Sequence, residues 1–285
     1  MAEQISRAWQ IRRQNFSDEL SFCRPVKTSV ISVTGSHCEL ECAHCNGHYL
    51  KSMTPVEFWQ KGIKPETKSV LISGGCDPNG RVPVLQYLPI LNEIKKAGLR
   101  INLHTGLVKE EEIEQISKIA DTVSFDVVGD NDTLREVYGL SKEVEDYFDA
   151  YRKLKKRVRV IPHICIGLRG GQISGEYKAI EMLRDLGADE VVFLIFRPTK
   201  GTPFGNRLPP TPDDVARVLC QARIELPEVP LSLGCMRPGG EYRKDLDRLA
   251  LMCGINKIVQ PAPEIKDIAV GLGLNIKPGE ECCAL

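Results

Sequence analysis

Three cysteines lie close together in the segment Cys38-Glu-Leu-Glu-Cys42-Ala-His-Cys45, with the spacing C-x3-C-x2-C. Thiolates are soft ligands that suit iron–sulfur clusters or zinc. A structural zinc site usually takes four ligands in two pairs, and here only His48 is at hand to complete one. Three thiolates on one loop can bind three irons of a 4Fe–4S cluster and leave the fourth iron open. The segment therefore favours an iron–sulfur cluster whose open iron is a substrate site.

The remaining eight cysteines form a second set with less regular spacing. Two of them, Cys76 and Cys235, follow predicted strands, and Cys282 and Cys283 are adjacent near the end of the sequence. These four could bind an auxiliary iron–sulfur cluster, with Cys23 as a further candidate ligand. We interpret the others as small core residues, namely Cys165, Cys220 and Cys253.

The charge balance argues against several classes of function. The 285 residues include 38 Lys and Arg and 38 Asp and Glu, so the formal net charge is zero. A neutral chain is not typical of a dedicated nucleic-acid or membrane-surface binder. No apolar run reaches 18 residues, and the first fifteen residues lack the apolar centre of a secretory signal. We expect a soluble cytoplasmic protein without nucleic-acid or membrane partners, in a compartment that disfavours disulfides.

Short β-branched segments alternate with amphipathic helical segments along the chain, and this alternation predicts a parallel α/β sheet. Eight such units favour a (β/α)8 TIM-type barrel, or a partial (β/α)6 barrel with a C-terminal extension. We expect an N-terminal extension over 1–27, the barrel over 28–274 and a cysteine-containing tail over 275–285. The predicted strands are Ser29–Thr34, Ser69–Ser73, Arg100–His104, Thr122–Val127, Val158–Ile166, Glu190–Ile195, Pro230–Leu233 and Lys257–Val259. The predicted helices are Leu85–Ala97, Glu110–Ala120, Lys142–Lys155, Ser174–Leu186, Pro212–Ile224, Glu241–Met252 and Glu264–Leu272.

The cysteine triad, in the loop after the first predicted barrel strand, resembles the signature of the radical S-adenosylmethionine (SAM) superfamily. The resemblance implies that the open iron binds the amino and carboxylate groups of SAM. It also implies that an electron from the cluster cleaves SAM to a 5′-deoxyadenosyl radical, which abstracts hydrogen from an unactivated carbon. The residue before the third cysteine, His44, would lie by the adenine.

Further candidate cofactor-binding residues fall at the ends of predicted strands. The segment Ser73-Gly74-Gly75-Cys76 resembles the Gly-Gly-Glu element of the superfamily, whose backbone binds the SAM amino group; Cys76 replaces the glutamate. A carboxylate after strand four, Asp126, can accept hydrogen bonds from ribose hydroxyls. Two histidines, His104 and His163, map to the same mouth of the barrel, where barrel active sites are built.

A narrower resemblance concerns the substrate. The Lys200-Gly-Thr-Pro203 turn is similar to one in biotin synthase, and the Gly-Cys235-Met-Arg-Pro turn and the Cys-Cys ending resemble the second component of two-component lipoyl synthases. This implies sulfur insertion at C6 or C8 of an octanoyl chain on a lipoyl carrier protein. The auxiliary cluster would donate the sulfur, with Cys76 and Cys235 as the candidate catalytic residues. Implied partners are a second radical SAM subunit, the octanoylated carrier protein and a low-potential donor such as ferredoxin or flavodoxin.

Two alternatives stay open. One is another radical SAM reaction on the same frame, either biotin-type sulfur insertion or a methylation or rearrangement in cofactor assembly. The other is a non-catalytic iron–sulfur scaffold or sulfur-donor partner. The chain lacks the N-terminal C-x4-C-x5-C motif of single-chain lipoyl synthases, and Arg237 is either an arginine ligand of the biotin-synthase kind or a salt-bridged surface residue.

Overall fold

The computed structural model describes residues 1–285 and contains eleven β-strands and nine α-helices. The strands are β1 Glu19–Cys23, β2 Thr28–Ser32, β3 Thr54–Pro55, β4 Ser69–Ser73, β5 Arg100–His104, β6 Thr122–Asp126, β7 Val160–Ile166, β8 Val191–Ile195, β9 Leu231–Leu233, β10 Lys257–Val259 and β11 Asn275–Gly279. The helices are α1 Ala2–Asn15, α2 Leu88–Lys96, α3 Glu110–Ile119, α4 Asn131–Thr133, α5 Val144–Lys155, α6 Glu176–Leu186, α7 Pro212–Glu225, α8 Gly240–Met252 and α9 Ile265–Gly271. A π-helical turn, Leu134–Tyr138, continues α4, and 3-10 turns cover His48–Ser52, Val56–Gly62 and Val84–Tyr87.

All strands join one sheet in the order β11-β1-β10-β9-β8-β7-β6-β5-β4-β2-β3, and every neighbouring pair is parallel. The eight strands predicted from the sequence are β2 and β4 to β10, each within a few residues of its expected bounds. The predicted α/β class is therefore confirmed, in the form of a curled, partial barrel. Parallel strands place all their carboxyl ends at one mouth.

The two outer strands β1 and β11 lie within segments that the periodicity did not assign to the sheet. The register pairs Cys23 of β1 with Val259 of β10 and with Gly279 of β11. No strand ladder joins the edges β11 and β3. The gap next to β2 is instead crossed by the tail segment, residues 280–285: the Lys27 N–H donates to the Glu280 carbonyl and the Cys282 N–H to Thr28 Oγ1, both at 2.8 Å.

Side chains alternate between two separate apolar clusters on the two faces of the sheet, as the two-residue period of a strand requires. Outward residues such as Ile72, Leu103 and Phe193 belong to a 59-residue core shared with the helices. Inward residues of four strands form a six-residue cluster inside the barrel together with two residues of the tail segment: Cys23, Ile161, Val192, Val259, Cys283 and Ala284. The tail segment therefore belongs to the barrel interior.

The helices cover the outer face of the sheet. α7 begins at an N-cap where Thr211 Oγ1 accepts from the Asp214 N–H at 3.2 Å, followed by Pro212 in the first turn. None of the helices is both long enough and apolar enough to cross a membrane.

Candidate metal centre at the carboxyl ends of the strands

The loop after β2 carries the three predicted cluster ligands at the mouth of the barrel. A sulfur or nitrogen atom from each of Cys42, His44 and Cys45 lies within 4.8 Å of the others. The predicted ligand Cys38 lies outside this group, although it belongs to the same loop and its charge acts on the Cys42 thiol. Cys42 is buried, whereas Cys38 and Cys45 are half-buried. Soft donors thus converge where a ligand can still reach them.

Neighbouring loops hold this cysteine loop from two sides. The Ala43 N–H donates to the Val137 carbonyl of the π-helical turn at 2.7 Å. On the other side, the Phe204 N–H from the loop after β8 donates to the Ala43 carbonyl at 2.9 Å. Within the loop, the Cys45 N–H donates to the Cys42 carbonyl at 3.1 Å. The thiol positions are therefore fixed by backbone contacts rather than by the thiols alone.

The thiols influence each other's protonation. A hydrogen bond from Cys42, together with His44, lowers the pKa of Cys45 to about 4. The same hydrogen bond and burial raise the pKa of Cys42 well above its usual value. One thiolate next to a shared proton is the charge state expected of ligands poised to bind a cation.

The loop after β4 packs directly on the cysteine loop. Thr34 Oγ1 accepts from the Gly75 N–H at 2.7 Å, and the Glu39 N–H donates to the Cys76 carbonyl at 3.0 Å. A Cβ added to Gly75 would lie 2.0 Å from the His37 carbonyl oxygen and 2.5 Å from Cys38 Cα. Only glycine permits this approach, because the atoms that a side chain would meet are backbone atoms.

An iron–sulfur cluster and a bound nucleoside fit the residues present. Three thiols on one loop form a soft donor set, and the buried His44 Nδ1 has no hydrogen-bond partner. The His44 ring packs edge-to-face against Tyr138 at a centroid distance of 5.8 Å, which orients it. A buried nitrogen without a partner is costly, so it indicates a position where a ligand completes the site.

The predicted residues His104, Asp126 and His163 lie together at this mouth. The two imidazole rings are 5.9 Å apart in an edge-to-face arrangement, and the strand register pairs Asp126 with His163. His163 Nδ1 lies 2.9 Å from the Ile161 carbonyl, so this nitrogen carries the proton and Nε2 is free to accept. Burial and the charge of its neighbour His104 lower the pKa of His163 to about 4, so its ring is neutral near pH 7.

Two of the predicted auxiliary ligands lie in different surroundings. Cys76 is grouped with the triad: burial raises its pKa to about 12, with further contributions from the charges of Cys38 and Asp126. Cys235 instead interacts with the tail segment: the residue is exposed, yet the protein atoms around its thiol withdraw the sulfur from water and, together with the charge of Cys282, raise its pKa. The structure thus separates the sulfur atoms into one group at the mouth and another inside the barrel.

The inner group contains Cys23, Cys235, Cys282 and Cys283. The Cys23 thiol donates to the Glu281 carbonyl at 2.8 Å, and the charges of Cys282 and Cys235 act on it. Asn102 Nδ2 lies 3.6 Å from Cys282 Sγ. A hydrogen bond with Cys283 lowers the pKa of Cys282 to about 6. Cys235 is exposed and Cys23 is buried, so the group spans from solvent-accessible space to the packed interior.

Several charged side chains anchor the tail segment inside the barrel. Lys257 Nζ donates to the Cys283 carbonyl at 2.7 Å and Arg159 donates to the Ala284 carbonyl at 2.6 Å. Two ion pairs, Arg100 with Glu281 and Lys27 with Glu280, secure its beginning. These contacts place the adjacent cysteines by tertiary structure, although they belong to a segment without regular secondary structure.

Arg237 forms a buried ion pair. Its Nε lies 2.9 Å from Asp247 Oδ1, and it also donates to the Gly234 carbonyl at 2.5 Å and to the Gln260 carbonyl at 3.2 Å. All three guanidinium nitrogens therefore have protein partners, which favours the structural interpretation of this arginine. It fixes the turn that carries Cys235.

Four residues of the site were not assigned a role from the sequence: Thr34, Ala43, Asn102 and Phe204. Each acts through hydrogen bonds to segments distant in the chain, such as Thr34 to Gly75 or Phe204 to Ala43. No local pattern marks such residues. The one available signal was the position of Thr34 and Ala43 within or next to the cysteine loop.

Comparison with known proteins agrees with this geometry. The chain is 24% identical over 300 residues to biotin synthase of Ruthia magnifica subsp. Calyptogena magnifica, covering 96% of this chain and 90% of that protein. It is 22% identical over 299 residues to biotin synthase of Vesicomyosocius okutanii subsp. Calyptogena okutanii, with the same coverage of 96% and 90%. No protein-family model matches the chain.

Solved structures share the fold. Methylornithine synthase (PylB) matches with a TM-score of 0.66 at 16% identity, covering 98% of this chain and 89% of that one. The FeFe-hydrogenase maturase HydG from Carboxydothermus hydrogenoformans matches with a TM-score of 0.70 at 14% identity, covering 96% and 71%. Streptococcus suis SuiB bound to S-adenosylmethionine matches with a TM-score of 0.55 at 14% identity, covering 83% and 58%. The partial barrel is therefore an architecture that this chain shares with a SAM-binding protein.

Proposed function

We propose that this chain is a radical SAM enzyme of the biotin-synthase-like group. The observation that carries the proposal is the cysteine loop: Cys42 and Cys45 converge with His44 within 4.8 Å, and Cys38 lies on the same loop. When bound, a 4Fe–4S cluster with an open iron supplies the electron that converts SAM into a 5′-deoxyadenosyl radical. The similarity to biotin synthases over nearly the whole chain supports the same assignment.

Residues around the loop have separate roles in this proposal. Cys38, Cys42 and Cys45 hold the cluster. His44 offers its buried, unpartnered Nδ1 to the nucleoside, and glycine at position 75 lets its backbone segment, the proposed binder of the SAM amino group, lie directly against the cysteine loop. Ser73 and Gly74 lead into that backbone segment.

The inner mouth residues bind and orient the rest of the cofactor. Asp126 is exposed at the end of β6 and accepts hydrogen bonds from ribose hydroxyls. His104 and His163 stay uncharged, because burial lowers the pKa of both rings, and so they do not repel the positively charged sulfonium.

We further propose that the reaction inserts sulfur into an unactivated C–H bond of a protein-bound octanoyl chain. The apolar side chain of Val30 is 39% exposed in β2, where its neighbour Ile31 packs outward into the helical core. Val30 therefore lines the barrel interior, as does Leu194 next to the inner thiols. An aliphatic chain entering at the mouth would meet these two apolar side chains on its way toward Cys235, beyond the polar side chains of His104, Asp126 and His163.

The thiols inside the barrel are the proposed sulfur-donor site. Cys235, Cys282 and Cys283, with Cys23 beside them, would hold the auxiliary iron–sulfur cluster. Cys76 is a less favourable ligand for that cluster, because the structure groups it with the triad, and it would instead border the SAM site. Partners in this proposal are the octanoylated lipoyl carrier protein, a second radical SAM subunit and ferredoxin or flavodoxin as the reductant.

The radical SAM assignment can be tested separately from the substrate. Anaerobically reconstituted protein with SAM and dithionite should release 5′-deoxyadenosine and methionine in comparable amounts. A Cys38→Ala, Cys42→Ala, Cys45→Ala variant should release neither, while Cys220→Ala serves as a matched cysteine control outside the site. Absence of SAM cleavage by the wild-type protein, even with the partner subunit and octanoyl-lysine peptide present, would favour a cluster scaffold or sulfur-donor partner.

The substrate requires its own assay. Mass spectrometry of an octanoyl-lysine peptide after turnover, with and without the partner subunit, should show replacement of hydrogen by sulfur. The overall similarity to biotin synthases supports one competitor, biotin-type sulfur insertion. Parallel reactions with dethiobiotin, the sulfur-free precursor of biotin, distinguish the two. Sulfur transfer to dethiobiotin alone would retain the radical SAM assignment and reject the octanoyl substrate.

A further inference from the structure

A second close pair of thiols lies outside the barrel interior, in the layer of helices. Cys220 lies in the middle of α7, and Cys253 caps the end of α8. Their sulfur atoms are 3.3 Å apart, and neither residue has any solvent exposure. The nearest other polar contact is from Cys253 to the Ala216 carbonyl, at 3.5 Å. These two cysteines are therefore each other's main sulfur neighbour, away from every proposed iron ligand.

The local backbone can accommodate a shorter sulfur–sulfur distance. A disulfide bond is about 2.05 Å long, so the two sulfur atoms need to approach by about 1.3 Å. Cys253 follows the last turn of α8, and the next residue, Gly254, has a left-handed φ of +84°. The end of a helix adjusts more easily than its middle.

Helix α1 packs next to this pair of cysteines. A Cβ built on Gly254 would lie 3.0 Å from Arg12 Cβ and 3.1 Å from the Ala8 carbonyl oxygen, so α1 packs directly on the residue that follows Cys253. Ala8 itself is completely buried. Because both cysteines are completely buried, an oxidant reaches the thiols only when this helical layer opens locally, for example where α1 packs on Gly254.

We propose that Cys220 and Cys253 form a redox-sensitive disulfide that links α7 to the end of α8. The oxidant is a low-molecular-weight disulfide such as oxidised glutathione. The Cys220 thiolate attacks one of its sulfur atoms and expels a first glutathione thiolate, forming a mixed disulfide. The Cys253 thiolate then attacks the Cys220 sulfur and expels the second, so the two cysteines are oxidised, one glutathione disulfide is reduced to two thiols, and the two cysteine protons pass to them.

The bond would enclose a functional part of the barrel. The ring from residue 220 to residue 253 contains β9, the turn with Cys235 and Arg237, and the whole of α8. Asp247, the ion-pair partner of Arg237, belongs to the same ring. Oxidation would therefore brace the segment that presents Cys235 to the barrel interior, while leaving the triad loop outside the ring.

The test uses the full-length protein purified under anaerobic conditions. It is incubated with oxidised glutathione, quenched in acid with N-ethylmaleimide, digested, and its peptides are mapped by mass spectrometry. The expected product is a linked peptide pair containing Cys220 and Cys253, which disappears after reduction by a phosphine. Cys220→Ala and Cys253→Ala should each abolish it without producing a link to another cysteine.

Thermal unfolding supplies a second readout on the wild-type protein alone. Closing a ring of this size should raise Tm by about 5–10 °C in the oxidised sample relative to the phosphine-reduced one. Absence of the linked peptide after overnight oxidation about 10 °C below Tm, where local opening is frequent, overturns the proposal. A link that forms but lowers Tm would also overturn it, because the bond would then require a different packing of α7 and α8.

Discussion

Gly75 allows the loops after β2 and β4 to lie against each other, and Gly75→Ala should separate them. The added Cβ would lie 2.0 Å from the His37 carbonyl oxygen and 2.5 Å from Cys38 Cα, whereas such contacts are essentially never shorter than 3.0 Å. The two backbone segments must therefore move apart by about 1 Å. Overpacking of this kind costs about 1–3 kcal/mol of stability.

The displacement falls on the residue next to a proposed cluster ligand, so cluster binding should suffer more than folding. We expect Gly75→Ala to remain folded with a lower Tm, to retain less than half of the iron bound by the wild-type protein after reconstitution, and to lose most SAM cleavage. Iron analysis, circular dichroism and the release of 5′-deoxyadenosine measure these three effects. The matched control is Gly271→Ala, because a Cβ at that glycine would meet nothing within 4 Å.

Wild-type behaviour of Gly75→Ala would contradict the proposed role of the contact between the two loops. If Gly75→Ala binds iron and cleaves SAM like the wild-type protein, then the close approach of the two loops is not required for the site. A Thr34→Val variant separates hydrogen bonding from the steric effect, because it adds no atom between the loops and removes two hydrogen bonds of Thr34 Oγ1, the one accepted from the Gly75 N–H and the one donated to the His37 carbonyl. It should lower iron content less than Gly75→Ala does.

Three further predictions concern stability. Asp247→Asn leaves the buried Arg237 guanidinium without its counter-charge and should lower the free energy of unfolding, measured in urea, by about 3–5 kcal/mol. The control Asp132→Asn removes one partner of an exposed ion pair and should lower it by less than about 1 kcal/mol. The pKa of His163 is lowered to about 4 in the folded chain, so the unfolded chain takes up a proton first as the pH falls. The free energy of unfolding of the cluster-free protein should therefore decrease by roughly 2 kcal/mol between pH 7 and pH 5. The His163→Gln variant should flatten this pH profile, whereas His48→Gln should not. Deleting residues 280–285 should expose Cys23 to a thiol reagent and lower Tm by several degrees. If the reagent labels Cys23 at the same rate in the shortened and the full chain, the packing of the tail segment inside the barrel is contradicted.

Local patterns in the amino-acid sequence predicted most of the sheet and the position of the cysteine loop. The alternation of β-branched and amphipathic segments predicted β2 and β4 to β10 within a few residues, because buried parallel strands and covering helices carry strong local signals. The C-x3-C-x2-C spacing pointed to the candidate metal-binding loop, since all three thiols lie within one short segment. Strand ends then placed Gly75, Asp126 and His104 at the same mouth, which follows from parallel topology alone.

The grouping of the other cysteines depends on the tertiary structure. Cys76 and Cys235 both follow strands, yet one lies by the triad and the other by Cys282, because they leave opposite parts of the curled sheet. The outer strands β1 and β11 were also beyond the sequence pattern: each has five residues, and β11 contains a proline, which edge strands tolerate. Their pairing and the anchoring of the tail segment depend on contacts more than 200 residues apart, such as Cys23 with Glu281. A local pattern carries no information about such contacts, because they form only when segments from the two ends of the chain come together in the folded sheet.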